Sequence, residues 1–193
     1  YRIARAAIAA GAHYFDLCDN AEFCQGICVL RDDALAAGVC VYSGMSSVPA
    51  LSSAVVEALR DGETPLMIET AILPGNKAPR GRAVVESILD QTGRFYIDKK
   101  GGRDFLVRSW SDPKTYDLGG CRRQGWRIEV PDQRLFPDHF NCASVSFRAG
   151  LELGVMRYGL GVLSFTRSKV GFKIPDCLVS LMMFGAGALA PFG

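Results

Sequence analysis

The stretch Gly38–Leu59, GVCVYSGMSSVPALSSAVVEAL, restricts the fold more than any other. A continuous apolar run passes through Gly-Met-Ser-Ser straight into an amphipathic pattern, with no polar spacer. A short run that is apolar on both faces predicts a strand covered on both sides, as parallel sheets require. Upstream, HYFDL (His13–Leu17) repeats the signal, and between the two runs Phe23, Cys24, Ile27, Cys28, Ala34 and Leu35 recur at helical spacing. Strand, helix, strand predicts a parallel βαβ unit with a right-handed crossover. Open α/β sheets bind ligands outside the carboxyl ends of their strands, and two such ends occur here, at Asp16–Asn20 and Ser43–Pro49. Gly44 lets backbone approach a ligand, Ser46 and Ser47 offer capping hydroxyls, and Pro49 suits the first turn of the following helix. An ordinary serine-capped turn accounts for the same residues, and both readings stand. Asp16 and Asp19 lie at a predicted strand end, which makes Asp16 the best candidate for a site-lining acid.

Composition excludes several functions. With 193 residues, 49% of them hydrophobic, the chain can bury one sizeable core or two small ones. Lys and Arg number 22 against 20 acidic residues, scattered rather than striped, so no nucleic-acid footprint is present. The seven cysteines form no CxxC pair and His13 and His139 are far apart, so no metal site is expected. Cysteines inside apolar periodic segments imply reduced, buried thiols in a cytoplasmic protein. The first residues predict a helix with Ile3, Ala6, Ala7 and Ala10 on one face and Gly11 as its C-terminal cap. They show no start methionine and no signal-peptide pattern, so the chain is expected to be cut from a longer polypeptide.

After Arg60 the pattern changes. TPLMIETAILPG predicts a strand, and GRAVVESILDQTG a helix with Val84, Val85, Ile88 and Leu89 inward and Gly93 as cap. RFYIDKKGGRDFLVRSW predicts a hairpin turning at Lys100-Gly101-Gly102, and GWRIEV and ASVSFRAGLEL two more strands. This is an α+β segment with an antiparallel or mixed sheet. Lys77 and Arg80 precede the helix, where an anion would be favoured, although solvated bases on a turn explain them as well. Arg148 and Glu152 are spaced to share a helix face or to flank a bend near Gly150, as an ion pair or as contacts to substrate. The apolar tail from Gly150 has as its cleanest run Leu178–Phe192, shorter than the roughly 20 residues a spanning helix needs, so no transmembrane span is expected. Helices burying against the domain, a second subunit or a greasy substrate fit it better. The sequence shows no G-x-S-x-G, H-E-x-x-H or P-loop motif.

Taken together, AAGAHYFDLCDN, AAGVCVYSGMSSVPALSSAVVEAL, PGNKAPRGRAVVESIL, VPDQRLFP and SFRAGLELGVMRYGLGVLS resemble the saccharopine dehydrogenase-like oxidoreductases, in order from about Ala6 to Ser164. The resemblance implies a Rossmann-like dinucleotide-binding half over residues 1–62 and an α+β substrate or dimerisation domain with an apolar helical tail over 63–193. It implies NADP or NAD as cofactor, with Tyr14, Asp16, Ser43, Gly44, Met45, Ser46 and Ser47 near it; Arg80, Arg148 and Glu152 are candidates for contact with substrate from their local sequence setting alone. It further implies hydride transfer to or from a C=N, C=C or C=O bond of a small molecule, a lipid-like one among the candidates, and a homodimer. No G-x-G-x-x-G occurs, so the glycine-rich phosphate loop is missing, as are the family's closing strands. A central fragment of this kind is expected to bind NAD(P) weakly or not at all by itself. The alternative is a non-catalytic module, with a Rossmann scaffold and apolar helices that mediate dimerisation or membrane-surface association.

Overall fold

The computed structural model describes residues 1–78 and 81–189, with Leu178 and Ala186 described by their backbone alone. The fold is mixed α/β. In chain order it runs α1 (Arg2–Ala9), β1 (Tyr14–Phe15), α2 (Ala21–Gly26), α3 (Arg31–Ala36), β2 (Val41–Tyr42), α4 (Ser52–Leu59), β3 (Ile68–Ile72) and α5 (Arg82–Gln91). It continues through β4 (Phe95–Lys100), β5 (Arg103–Arg108), β6 (Ser111–Asp117), β7 (Arg122–Arg127), α6 (Asp132–His139), β8 (Val145–Ala149), α7 (Gly154–Val170) and α8 (Asp176–Leu189). Residues cluster into two compact units, one of 1–69, 99–103 and 130–146, the other of 70–98, 104–129 and 147–193. Segments 99–103 and 130–146 thus belong with the first unit, although sequence places them with the second half.

In the first unit β1 and β2 pair in parallel, Tyr14 opposite Val41 and Phe15 opposite Tyr42. The helical run between them is broken rather than continuous. Gly26 and the β-branched Ile27 and Val29 are weak helix formers, and Ile27–Leu30 tightens into a 3₁₀ turn between α2 and α3. Ala4, Ile8, Ile27, Leu30 and Ala34 form one core, with Tyr14, Phe23, Val39 and Val41 packed against it. Each large aliphatic side chain buried there contributes on the order of 2 kcal/mol. The α1 face differs from expectation: Ala4 and Ile8 are buried, one turn apart, while Ile3 is 76% exposed. Contact with Ile27 and Leu30 selects the face, and the sequence of α1 does not carry that information. A second cluster joins Ile68, Phe136, Phe140, Cys142 and Val145, with Phe136 and Phe140 edge to face at 5.1 Å.

The larger sheet has the order β5-β4-β8-β7-β6, with β3 also paired to β8. Lys99 faces Val145, and Trp126 and Arg127 face Ala149 and Arg148, all antiparallel. The β4–β5 hairpin turns as expected at Gly101 and Gly102, both at positive φ, which a two-residue turn matching the strand twist requires. Sequence missed β6, because Pro113 and a run of charges disguise it. It lies at the end of the sheet order, and Pro113 falls within the register shift between Ser111 and Lys114, a place where a missing N–H costs no ladder bond. It also missed α6 as a helix, since Pro131 precedes it and Pro137 lies inside it. In the second unit Leu89, Trp110, Trp126, Leu151, Leu160 and Val179 make the core. Val84, expected inward on α5, is 53% exposed, whereas Leu89 is 2%. The tail forms α7, stopped by Gly171 in the left-handed conformation, and α8. No helix among the described residues is long and apolar enough to cross a membrane.

Candidate functional site

The parallel ladder delivers Asp16 and Ser43 side by side. Tyr14 N–H donates to the Cys40 carbonyl at 2.9 Å and Asp16 N–H to that of Tyr42 at 3.0 Å, so the two strands end in step. Beyond them, Asp16 Oδ1 accepts three hydrogen bonds, from Cys18 N–H, Gly44 N–H and the Ser43 hydroxyl, each 2.9 Å long. Met45 N–H donates to the Asp16 carbonyl at 2.8 Å. One carboxylate therefore ties both strand ends together. Burial by itself would raise the Asp16 pKa, but donors from Gly44, Cys18, Ser43 and Tyr14 outweigh it and hold the group below its usual value. It is an anion at neutral pH. Its Oδ2 is buried and makes no hydrogen bond among the described residues within ordinary range, while the Tyr14 hydroxyl, on the same face of β1, interacts with the carboxylate. Burial and then that interaction raise the Tyr14 pKa, so its hydroxyl stays protonated.

Gly44 is fixed by two constraints. It is buried with φ +74°, and a Cβ there would stand 2.5 Å from Pro49 Cδ. Beneath it, Cys24 Sγ donates to the Cys18 carbonyl at 3.3 Å and lies 3.7 Å from Ser43 Oγ. Burial pushes the Cys24 thiol up to about 11, which makes it a packing group and not a nucleophile. Tyr14, Asp16, Ser43, Gly44 and Met45 thus meet in one bonded network. Ser46 and Ser47 continue the turn but do not cap α4: the Ser46 hydroxyl donates to Val48 O at 2.9 Å, and α4 starts only at Ser52, after Pro49. Phe15 and Tyr42 stack at 5.2 Å on the exposed face of the same strands. A separate cleft of about 580 Å³ runs along β2, lined by Ile27, Leu30, Arg31, Ala34, Val41 and Tyr42 among others; Asp16, Ser43 and Gly44 are not part of it. No group of three or more metal-ligating side chains occurs among the described residues.

One titratable group escaped sequence reasoning. Asp132, the first residue of α6, is fully buried, and neither carboxylate oxygen has a hydrogen-bond partner among the described residues. Burial pushes it up to about 6, despite the opposing effect of the Ser52 hydroxyl at the start of α4. An acidic residue after proline is an ordinary helix start, and nothing local marks it as buried.

The second-half candidates separate. Arg80 lies outside the described residues. Arg148 and Glu152 flank the bend at Gly150 without pairing with one another. Arg148 Nη2 donates to Asp112 Oδ2 at 2.9 Å, whereas Glu152 accepts from Asn76 N–H and pairs with Arg123, both at 2.5 Å. The Asn76 N–H bond and then Arg123 hold the Glu152 carboxyl below its usual range. No protein-family model and no curated protein matches the chain.

Proposed function

We propose that the chain is part of a saccharopine dehydrogenase-like, NAD(P)-dependent oxidoreductase acting on a C=N, C=C or C=O bond of a small molecule. One observation carries this: two adjacent parallel strands end together, and Asp16 ties their carboxyl ends through Ser43 and Gly44. Ligand-binding crevices form at such ends in Rossmann-like sheets. The nicotinamide, when bound, supplies the hydride. The chain's own part would be positional. Gly44, with no Cβ, lets the Pro49 ring close against the turn and fix it; Ser43 and Gly44 are held in place by the ionised Asp16; Tyr14 keeps its proton beside that carboxylate. In the absence of a glycine-rich phosphate loop, attachment of the dinucleotide falls to these few contacts and is weak.

Backbone amide resonances followed during titration with NADPH test the assignment. The expected result is a non-saturating, millimolar shift confined to Gly44, Met45 and Ser46, abolished in Asp16→Ala. Shifts elsewhere with these three unmoved would overturn it.

A second reading has an observation of its own. Along α7, Val155, Tyr158, Val162 and Phe165 are each more than half exposed and lie on one stripe, which favours a dimerisation or membrane-surface module. Flotation with anionic liposomes and light scattering separate the two: vesicle binding or dimer formation without any NADPH-dependent shift supports the second.

A further inference from the structure

In the second unit two arginines on neighbouring strands converge on one carboxylate oxygen. Arg127 Nε reaches Asp112 Oδ2 at 2.7 Å and Arg148 Nη2 reaches the same oxygen at 2.9 Å. The two guanidiniums are nearly enclosed, with side-chain exposures of 15% and 7%, while Asp112 is 60% exposed. Behind them, buried Asp98 accepts from Arg127 Nη1 at 2.7 Å, and the Arg127 guanidinium lies over the Phe105 ring at 5.5 Å. Arg127 and Arg148 stand directly opposite each other in the β7–β8 register, which fixes their spacing by backbone rather than by side-chain choice.

The carboxylate they hold is of a different kind. Asp112 sits within the irregular start of β6, at φ +49°, and Trp110, two residues before, is also left-handed at φ +63°. Bulky residues rarely take that conformation. A pre-set, desolvated pair of planar donors therefore meets an acceptor that arrives from the solvent side on left-handed backbone, whose carbonyl also accepts from Arg148 Nε at 3.4 Å. Guanidinium forks match a planar carboxylate, and the preference strengthens when the donors are removed from water.

We propose that Arg127 and Arg148, with Asp98 behind them, form a binding site for a small organic carboxylate, and that Asp112 is its tethered internal occupant. An external carboxylate binds by displacing the Asp112 side chain, while Asp98 keeps Arg127 oriented throughout. The site stands independently of the nicotinamide assignment and fails or survives separately from it.

The probe is glutarate, titrated against the Arg Nε–H resonances with sodium chloride as an ionic-strength control. Asp112→Ala removes the competitor, which acts at an effective concentration in the millimolar range, so glutarate affinity is expected to rise by roughly tenfold or more over the unaltered chain. Arg148→Gln added to Asp112→Ala is expected to abolish that gain. Should Asp112→Ala fail to fold, Asp112→Asn serves, because asparagine tolerates the left-handed backbone and carries no charge to compete. Folded Asp112 variants that bind glutarate no more tightly than the unaltered chain overturn the proposal. So does a double variant that retains the gain.

Discussion

Replacing Asp132 by asparagine should change the pH dependence of stability by an amount that follows from its burial. The carboxyl is fully buried and its pKa rises from 3.8 to about 6, with desolvation as the chief cause. The folded state thus holds the proton more tightly than the unfolded one. For a raised pKa, the stabilisation is fully present below pH 3.8 and is lost as pH climbs through 6. At about 1.4 kcal/mol for each pH unit between those values, the loss amounts to about 3 kcal/mol. Asparagine keeps the shape and cannot ionise. The free-energy difference between Asp132→Asn and the unaltered chain should therefore move by about 3 kcal/mol in favour of the variant between pH 3.5 and pH 7.5. All other titratable side chains are common to both proteins, so the difference isolates the Asp132 carboxyl. Urea unfolding followed by circular dichroism across that range gives the difference directly. A gap flat to within about 0.5 kcal/mol, well below the linkage value, shows that the carboxylate has found solvent or a partner and refutes the reasoning.

Further outcomes are expected elsewhere. Gly44→Ala should destabilise by about 1–3 kcal/mol, from the positive φ and the close Pro49 ring, as measured by denaturant midpoint; an unchanged midpoint would mean the turn is not packed as described. Arg167 donates through Nη1 to the carbonyls of Leu89, Asp90 and Thr92 at the end of α5, so Arg167→Ala should cost about 2 kcal/mol and speed hydrogen exchange at the end of that helix. Exchange unaffected there would deny the capping role. With Cys28, Cys40, Cys121 and Cys177 exposed but Cys24 and Cys142 buried, an aromatic disulfide reagent at pH 8 should modify the first four quickly and the last two only on unfolding; rapid loss of the Cys24 thiol would contradict its place beneath Ser43.

Much of the first unit was legible because its signals are local. The apolar runs at His13–Leu17 and Gly38–Tyr42 mark two strands that pair in parallel, although Phe15 and Tyr42 lie exposed where the runs predict cover on both faces, and Gly44 marks a point where backbone turns at positive φ. From that alone, Asp16 and Ser43 had to arrive at neighbouring strand ends. The same holds for the Gly101-Gly102 hairpin and for the tail helices. Interruptions went unseen where propensity and context compete: the 3₁₀ break at Ile27–Leu30, and β6, whose proline is tolerated inside a bulge.

What tertiary structure alone decided is which polar groups meet. Arg148 lies four residues from Glu152 in sequence, but the bend at Gly150 sends the arginine to Asp112 and the glutamate to Arg123 and Asn76. Asp132 looks like an ordinary helix start, and only the packing of α6 with α2 and α4 removes it from water. Periodicity and turn chemistry act over a few residues, so the sequence discloses them directly. Desolvation and charge pairing depend on atoms brought together from distant parts of the chain, and their energies come into being only when the fold closes.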